Sequence, residues 1–524
     1  MMHQSCKARA PWRRLTSILA ATFLSCGSAF AQTAQTNQVT PLALRDAIHT
    51  ALRNNRLLQI ERINPELARA ALAEAWAVYD PIFFAQANRE NTSETGGFDP
   101  LNPQNEAYVA DSEVVRASLT GVLPTGLTYA LNGEAVYSEV EQGAALNQIR
   151  SSSYRLGANV SLRQPLLRNA WIDQFRYTIH VSRNNVKINE HGVRFVAMTV
   201  ASEVRQAYAE LAFAWESLRV EQNLLQTRQD FLRGIRRQVE VGSLTVLEER
   251  LGESQEAAVR TTLFAASNAV AMAANNLKTL LGYNVTNWTM DVFSPTDSLI
   301  VVPRRFHLVT SWDRGLVNRP DLAQLNYEVK NAQVNVKFRR NQLFPSLDIF
   351  GGYGRRGSSS FETHAPASLP EAPFTPAWEQ LADGDAPRDV IGLILTFPLT
   401  MRGERASFKE SKLLREQANL RVKEKEELIM REVADAIQFA QSSYDRLQAA
   451  REASRFAEQA LAAEEQKLAS GKSSIFIVLQ LQTDLATART REILARRDYN
   501  VALAQLDLAE GTILDQEKID IVIE

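Results

Sequence analysis

The second half of this 524-residue chain repeats the first. Ala51-Leu52-Arg53-Asn54-Asn55-Arg56-Leu57-Leu58 returns as Gly315-Leu316-Val317-Asn318-Arg319-Pro320-Asp321-Leu322, and Pro81-Ile82-Phe83-Phe84 as Pro345-Ser346-Leu347-Asp348, both 264 residues on. Ser161-Leu162-Arg163-Gln164-Pro165-Leu166 returns as Ile394-Leu395-Thr396-Phe397-Pro398-Leu399 after 233 residues. Val241-Gly242-Ser243 returns as Ser470-Gly471-Lys472 after 229, the interval that also separates Leu277 from Leu506 and Gly282 from Gly511. Landmarks kept in one order twice define a long unit, far beyond the roughly 20–50 residues of a solenoid repeat. A chain of this length ordinarily divides into about three or four domains. Duplication predicts instead two intertwined halves of one body, residues 41–300 and 301–524.

The N-terminus reads as an export signal. Lys7, Arg9, Arg13 and Arg14 precede a largely apolar run from Leu15 to Leu24, and Ala29-Phe30-Ala31 before Gln32 has the small-x-small pattern of a cleavage site, so residues 1–31 are expected to be removed. A lipoprotein signal anchored on Cys26 is the competing reading, although Phe23 stands where leucine is usual. Cleavage after Ala31 removes both cysteines of the chain, Cys6 and Cys26, which suits an oxidising compartment without reliance on disulfides. Residues 32–40 are polar and aperiodic, a mobile lead-in. No later stretch reaches the ~18 consecutive apolar residues of a membrane-spanning helix, so entry into a bilayer has to be made by strands.

Helical patterning begins near Leu42, with Leu44, Ala47, Ile48, Ala51 and Leu52 on one face, breaks at Asn54-Asn55 and resumes to about Val78. Pro65 should kink the second piece or start it afresh, and Asp80-Pro81 stops it, because a residue before proline avoids the α region. Short β-type runs follow: Pro81 to Asn88, Val114 to Leu123, Leu127 to Tyr137 and Tyr154 to Gln164. Pro124-Thr125-Gly126 signals a tight turn, and residues 91–107 read as a polar loop. The span from Pro81 to Pro165 exceeds that from Pro345 to Pro398 by 31 residues, about the size of the hairpin around Pro124-Thr125-Gly126.

From Ile172 to Glu240 there is no proline, and Val204, Tyr208, Leu211, Trp215, Leu218 and Leu225 are apolar at heptad spacing, interrupted by Gln222. Val433, Ile437, Ala440, Tyr444 and Leu447 repeat that register. A sustained seven-residue repeat imposes supercoiling against neighbouring helices. About 67 residues at ~1.5 Å each make a rod of ~100 Å. Gly242 and Gly471 end the two rods, each followed by a returning helix, residues 244–281 and 473–510. Residues 283–306 read as an irregular connector. The two shorter helices of each half together nearly match the long one, and stacking them end to end beside it is the economical arrangement.

These residues resemble the TolC-type outer-membrane efflux proteins from Leu42 to about Leu514. The echoes are the strand-closing prolines Pro165 and Pro398, the turns at Val241-Gly242 and Ser470-Gly471, and Leu280-Leu281-Gly282. The resemblance implies a mixed α+β membrane protein: a duplicated helix–strand–long helix–helix unit, trimeric, whose strands close one outer-membrane β-barrel continued by a long periplasmic α-helical barrel. It implies four strands per subunit; the surplus hairpin either joins the wall, making six, or folds over the barrel mouth. An open edge in lipid would leave backbone groups unpaired, which independently demands closure with other copies. Phe83, Phe84, Tyr129, Tyr137, Tyr154, Trp171, Phe350, Tyr353 and Phe397 would form interfacial girdles, or else fill a soluble β-core.

The family pattern also implies that the two hairpin turns meet at the periplasmic tip, making Val241, Gly242, Ser243, Leu244, Ser470, Gly471, Lys472, Ser473 and Ser474 candidates for docking and gating. Well-known members carry two aspartates six and nine positions after the second tip glycine; here Ile477 and Gln480 stand there. The arginine of their ionic lock corresponds to Ser473, with Glu248 as a surviving acidic counterpart. Without the acidic ring, block by trivalent cations should be poor, and Ile475, Phe476 and Ile477 could close the pore by apolar contact instead.

Function follows from the resemblance: an exit duct of a tripartite efflux or type I secretion system, passive, working with a periplasmic adaptor (membrane fusion) protein and an inner-membrane transporter, embedded in outer-membrane lipid and using no cofactor. A periplasmic coiled-coil adaptor or spacer without a pore is the alternative. A net charge of −2, from 58 basic and 60 acidic residues, speaks against nucleic acid as a partner. The six histidines show no metal spacing, and there is no phosphate loop, His-Glu-x-x-His or Gly-x-Ser-x-Gly, so no enzyme chemistry is indicated. Glu424 to Glu427 and Glu464-Glu465 read as solvated helix faces.

Overall fold

The computed structural model describes residues 39–94, 108–142, 149–284, 288, 292–299, 301–364 and 371–516. The expected signal peptide, the lead-in up to residue 38 and Cys26 lie outside them. The first half contains β1 (Val39–Leu42), α1 (Leu44–Asn54), α2 (Arg56–Trp76), β2 (Ile82–Glu94), β3 (Tyr108–Val122), β4 (Thr128–Gln142), β5 (Ile149–Pro165), α3 (Gln174–Glu240) and α4 (Val246–Leu280). After β6 (Val292–Pro295) come α5 (Leu308–Asn318), α6 (Pro320–Asn341), β7 (Ser346–His364), α7 (Phe374–Asp383), β8 (Ala386–Thr396), α8 (Arg402–Ala469), α9 (Ile475–Ala509) and α10 (Ile513–Gln516).

The rods are as long as their heptads predict: α3 has 67 residues and α8 has 68. Val204, Tyr208, Leu211 and Leu218 of α3 and Val433, Ile437, Ala440 and Leu447 of α8 are buried, and Gln222 is exposed. Each large apolar side chain so buried contributes about 1.5–3 kcal/mol. Asn55 breaks α1 from α2 by turning extended and capping α2, its side chain accepting from Leu58 N at 3.3 Å. Pro65 lies buried inside a continuous α2. The returning helices stop against the breaks in the paired short helices. Asn55 Nδ2 donates to Leu280 O at 2.9 Å. Gly282 (φ +81°) stands so close to Asn54 that a Cβ would lie 2.3 Å from its carbonyl oxygen, and at Gly511 (φ +73°) a Cβ would come, less tightly, to 3.0 Å from the Asn318 Cβ. The repeated Gly282 and Gly511 thus seal the joint between upper and lower helices in each half.

Six strands form one antiparallel sheet in the order β2-β3-β4-β5-β7-β8. The surplus hairpin is β3–β4, paired on both sides within the sheet instead of folded over its end. Its turn at Gly126 (φ +85°) rests against Asn169 and Arg176 in the β5–α3 junction. Two expectations are corrected. Asn91 to Glu94 belong to β2 rather than to a loop, because cross-strand pairing continues and Arg89 binds both Asp111 and Glu113. Val39-Thr40 and the connector supply β1 and β6, a parallel pair that tethers the chain's start beside α3, where Tyr208 Oη donates to Leu42 O at 2.9 Å. Four-residue strands are too short to show periodicity.

Alternation gives the large sheet two unlike faces. Register places Phe83, Leu119, Leu131, Val160, Tyr353 and Ile391 on one side with their apolar neighbours. Asn132, Asn159, Arg116, Glu134, Arg163 and Asp348 stand on the other. On β4 the apolar face runs from Tyr129 to Tyr137, about 27 Å along the strand, close to the apolar band of outer-membrane barrels, ~25 Å tall. Phe84 and Phe350 face the polar side, so they are not girdle residues; the Phe350 ring lies over Gly392. Helix α7, unforeseen from sequence, lies on the apolar face: Ala377 is fully buried against Gly357, Phe374 meets Tyr154 edge-on at 5.6 Å, and Gln380 Oε1 accepts from Ser358 N. Ser358 lies beyond the last β8 partner of β7, so α7 satisfies part of a strand edge that β8 leaves bare.

Candidate functional site

The two hairpin turns at the far end of the rods are built alike. Gly242 (φ +76°) and Gly471 (φ +74°) take the left-handed conformation that ends each rod. Ser243 N donates to Gln238 O at 2.8 Å and Lys472 N to Lys467 O at 2.9 Å, closing the last carbonyls of each helix. Around both glycines a Cβ would meet nothing within 4 Å, so the glycines serve the turn and no contact. The turns differ in how the returning helix starts. Thr245 and Glu248 form a reciprocal capping box, with Thr245 N donating to Glu248 Oε2 at 2.8 Å. Ser474 makes no side-chain cap; Ser473 Oγ instead donates to Glu464 Oε1 at 2.5 Å, and Lys467 joins the same carboxylate. Those hydrogen bonds hold the Glu464 carboxyl below its ordinary range.

Val241, Gly242, Ser243, Ser470, Gly471, Lys472 and Ser474 are exposed, and Ser473 is half-buried. Leu244 packs with Ile235, Ile475 and Leu479, which draw α3 and α9 together just above the turns. Two tip expectations are corrected, those for Ile475 and Glu464. Glu248 spends its carboxylate on its own helix terminus, in keeping with the weaker ionic lock expected where Ser473 stands for arginine. Ile475 is buried in the apolar cluster and cannot join a pore belt, whereas Phe476 and Ile477 are exposed. Glu464 is not merely solvated. Gln480 is exposed and its side chain donates to Asp484 at 3.0 Å, so a carboxylate stands one turn above the missing ring. Pro165 is the last residue of β5, and Pro398 lies two residues past β8.

Sequence reading missed Arg228. Its side chain on α3 is 2 % exposed, and Nη2 donates to Leu479 O and Thr483 Oγ1 of α9, both at 2.6 Å. Nε and Nη1 have no partner, and burial pushes the guanidinium pKa down, the mark of a charge held at a cost. It stands seven residues before Ile235 and four before Leu232, core spacing that could have revealed it. Arg228→Met is expected to stabilise the fold by about 1–4 kcal/mol, the range found when buried charges give way to apolar residues of similar volume. Denaturation midpoints at pH 8 check this: the variant should unfold at a higher denaturant concentration than the wild type.

Among the described residues no helix is long and apolar enough to cross a membrane, and no group of His, Cys, Asp or Glu could hold a metal ion. An open sheet with one apolar face stands on paired helical rods. The chain matches the family model for outer membrane efflux proteins over residues 313–512. It is 25% identical over 171 residues to the probable outer membrane lipoprotein SilC of Salmonella typhimurium, covering 32% of this chain and 36% of that one. It is 23% identical over 269 residues to the cation efflux system protein CusC of Escherichia coli K12, covering 51% and 54%. The chain thus aligns with about a third to a half of these relatives. The fold extends further: a CusC crystal structure superposes with a TM-score of 0.62 at 18% identity, over 92% of this chain and 95% of that one. The Campylobacter jejuni CmeC outer membrane channel gives 0.61 at 16%, over 90% and 85%.

Proposed function

We propose that this chain is one third of a trimeric exit duct, through which solutes delivered by an inner-membrane pump pass passively out of the cell. The observation that carries this reading is that the protomer is open along the same two flanks at every level. The sheet ends in β2 on one flank and β8 on the other. Upper helices pack in the order α2-α3-α6-α8 and lower ones in the order α4-α3-α9-α8, so α2 and α4 share the flank of β2, and α8 that of β8. Apolar side chains lie bare on those end helices: Leu57, Ile60, Ile63 and Leu67 on α2, Leu247 and Met272 on α4, and Leu413, Leu420 and Phe456 on α8. Two open edges of unlike residues suit a head-to-tail ring. Three copies of the six-stranded sheet give eighteen strands, enough to leave an aqueous channel. A soluble spacer would have no use for a sheet with an exposed apolar face.

The tips are proposed to receive the periplasmic adaptor. Val241 and Leu247 expose 75% and 77% of their surface there, beside Phe476 at 59%. Cargo is proposed to be set by the pump. Unheated electrophoresis of outer-membrane fractions, followed by planar-bilayer recording of the purified protein, tests the duct. A band near three times the chain mass that collapses on boiling, with stepwise conductance, is expected. A soluble periplasmic monomer would remove the reading.

A further inference from the structure

The polar face of the sheet treats its arginines in two ways. Arg116 binds Glu134 across β3 and β4 at 3.0 Å, and Arg163 binds Asp348 across β5 and β7 at 2.5 Å. Arg155, Arg356 and Arg388 stand on the same face and make no ion pair or hydrogen bond among the described residues. They are neighbours. Arg155 lies opposite Ser358, two residues from Arg356, and Arg356 lies opposite Ala386, two residues from Arg388. Each step is therefore a diagonal cross-strand contact of about 7–8 Å. All three are exposed.

Like charges at that spacing repel, so the arrangement costs stability that two ion pairs on the same face avoid. Glycines flank the cluster: Gly157 faces Arg356 and Gly354 faces Arg388, and an added Cβ at Gly157 would meet nothing within 4 Å. A hollow of about 970 Å³ on this face is lined by Arg356 and Arg388 together with Gly157, Asn159 and Glu134. The remaining carboxylates of the face, Glu90, Glu94 and Glu362, lie four to eight residues further along their strands, away from the helices, than the row of Arg356.

We infer that Arg155, Arg356 and Arg388 form a cationic belt on the inner wall of the barrel, which recruits and passes small anionic solutes in preference to cations. The inference rests on the duct reading, which makes the polar face luminal. Three copies bring nine guanidinium groups around one passage, and low-dielectric walls focus their field. Guanidinium forks match planar oxyanions such as carboxylates and phosphates.

The test is the reversal potential of the purified trimer in planar bilayers under a KCl gradient. Chloride is expected to permeate better than potassium, most clearly near 0.1 M, where the Debye length is about 10 Å, and less at 1 M, where it is about 3 Å. The triple variant R155Q/R356Q/R388Q should lower the chloride-to-potassium ratio about threefold or more, and the corresponding triple lysine variant should keep it. Each single glutamine variant should show part of the shift, so a triple variant that fails to assemble leaves the singles to decide. A potassium-selective wild type, or a ratio unmoved by glutamine, overturns the belt while the duct stands. A membrane-inserted wild-type trimer with no conductance overturns the duct, and the belt with it.

Discussion

Aspartates in place of Ile60 and Leu67 are expected to yield a folded protomer that no longer assembles. The two side chains are 62% and 61% exposed in the single chain, on a side of α2 roughly opposite the one that packs on α3. Leu413 and Leu420, 55% and 58% exposed, occupy the side of α8 that faces away from α6. In the proposed ring these stripes meet at three seams. Four such side chains lose water at each seam, at about 1.5–3 kcal/mol apiece. Carboxylates there would reverse the sign, because each ion taken from water without a partner costs several kcal/mol. Unheated electrophoresis or mass photometry in detergent should show monomer for the double aspartate variant and trimer for the double methionine variant. Circular dichroism of the monomer should keep its helical signal. A trimer that survives both aspartates would mean the stripes do not meet.

Gly282→Val is expected to be among the most damaging single substitutions in the chain. The residue sits at φ +81°, where a side chain costs about 1–2 kcal/mol. The added Cβ would also press on Asn54 backbone atoms at 2.3 and 2.7 Å, which cannot swing aside. Relief requires prising the α1–α2 break away from the end of α4, where Asn55 is bonded to Leu280 O. A loss above about 4 kcal/mol, or failure to accumulate, is expected. Gly242→Ala, at φ +76° with open space around it, should cost only the backbone strain, about 1–2 kcal/mol. Denaturant midpoints of the two variants give the comparison. Equal losses would show that the joint bears no special contact.

The sequence made the long-range plan legible and the local exceptions opaque, for one physical reason. Sixty-odd residues of heptad repeat average out single departures, so the ends of α3 and α8 could be placed from Gly242, Gly471 and the prolines. Strand ends could not, because residues such as Asn91 and Asp111 hold the ladder through backbone pairing and cross-strand ion pairs rather than through apolar alternation. Helix α7 hid in a loop because its ten residues make only two or three turns, stabilised by a sheet to which nothing local in the chain points. At the tips the glycines were readable from their spacing, while the partners of Glu248 and Ser473 were not. Glu248 has Thr245 three residues away and Ser473 has Glu464 nine away, and several acceptors lie within such reach in any helical hairpin, so spacing could not choose among them.

The β3–β4 hairpin has a geometric consequence. Strands β2, β5, β7 and β8 each lead into or out of a helix below, but β3 and β4 turn back on themselves at Gly126 with no rod beneath them. In the proposed ring of three, eighteen strands therefore stand on a stem four helices wide per chain. Tilted strands about 4.8 Å apart and helices about 8–10 Å apart then enclose circumferences of the same order, so the added hairpin lets the outlet match the throat below it instead of pinching it.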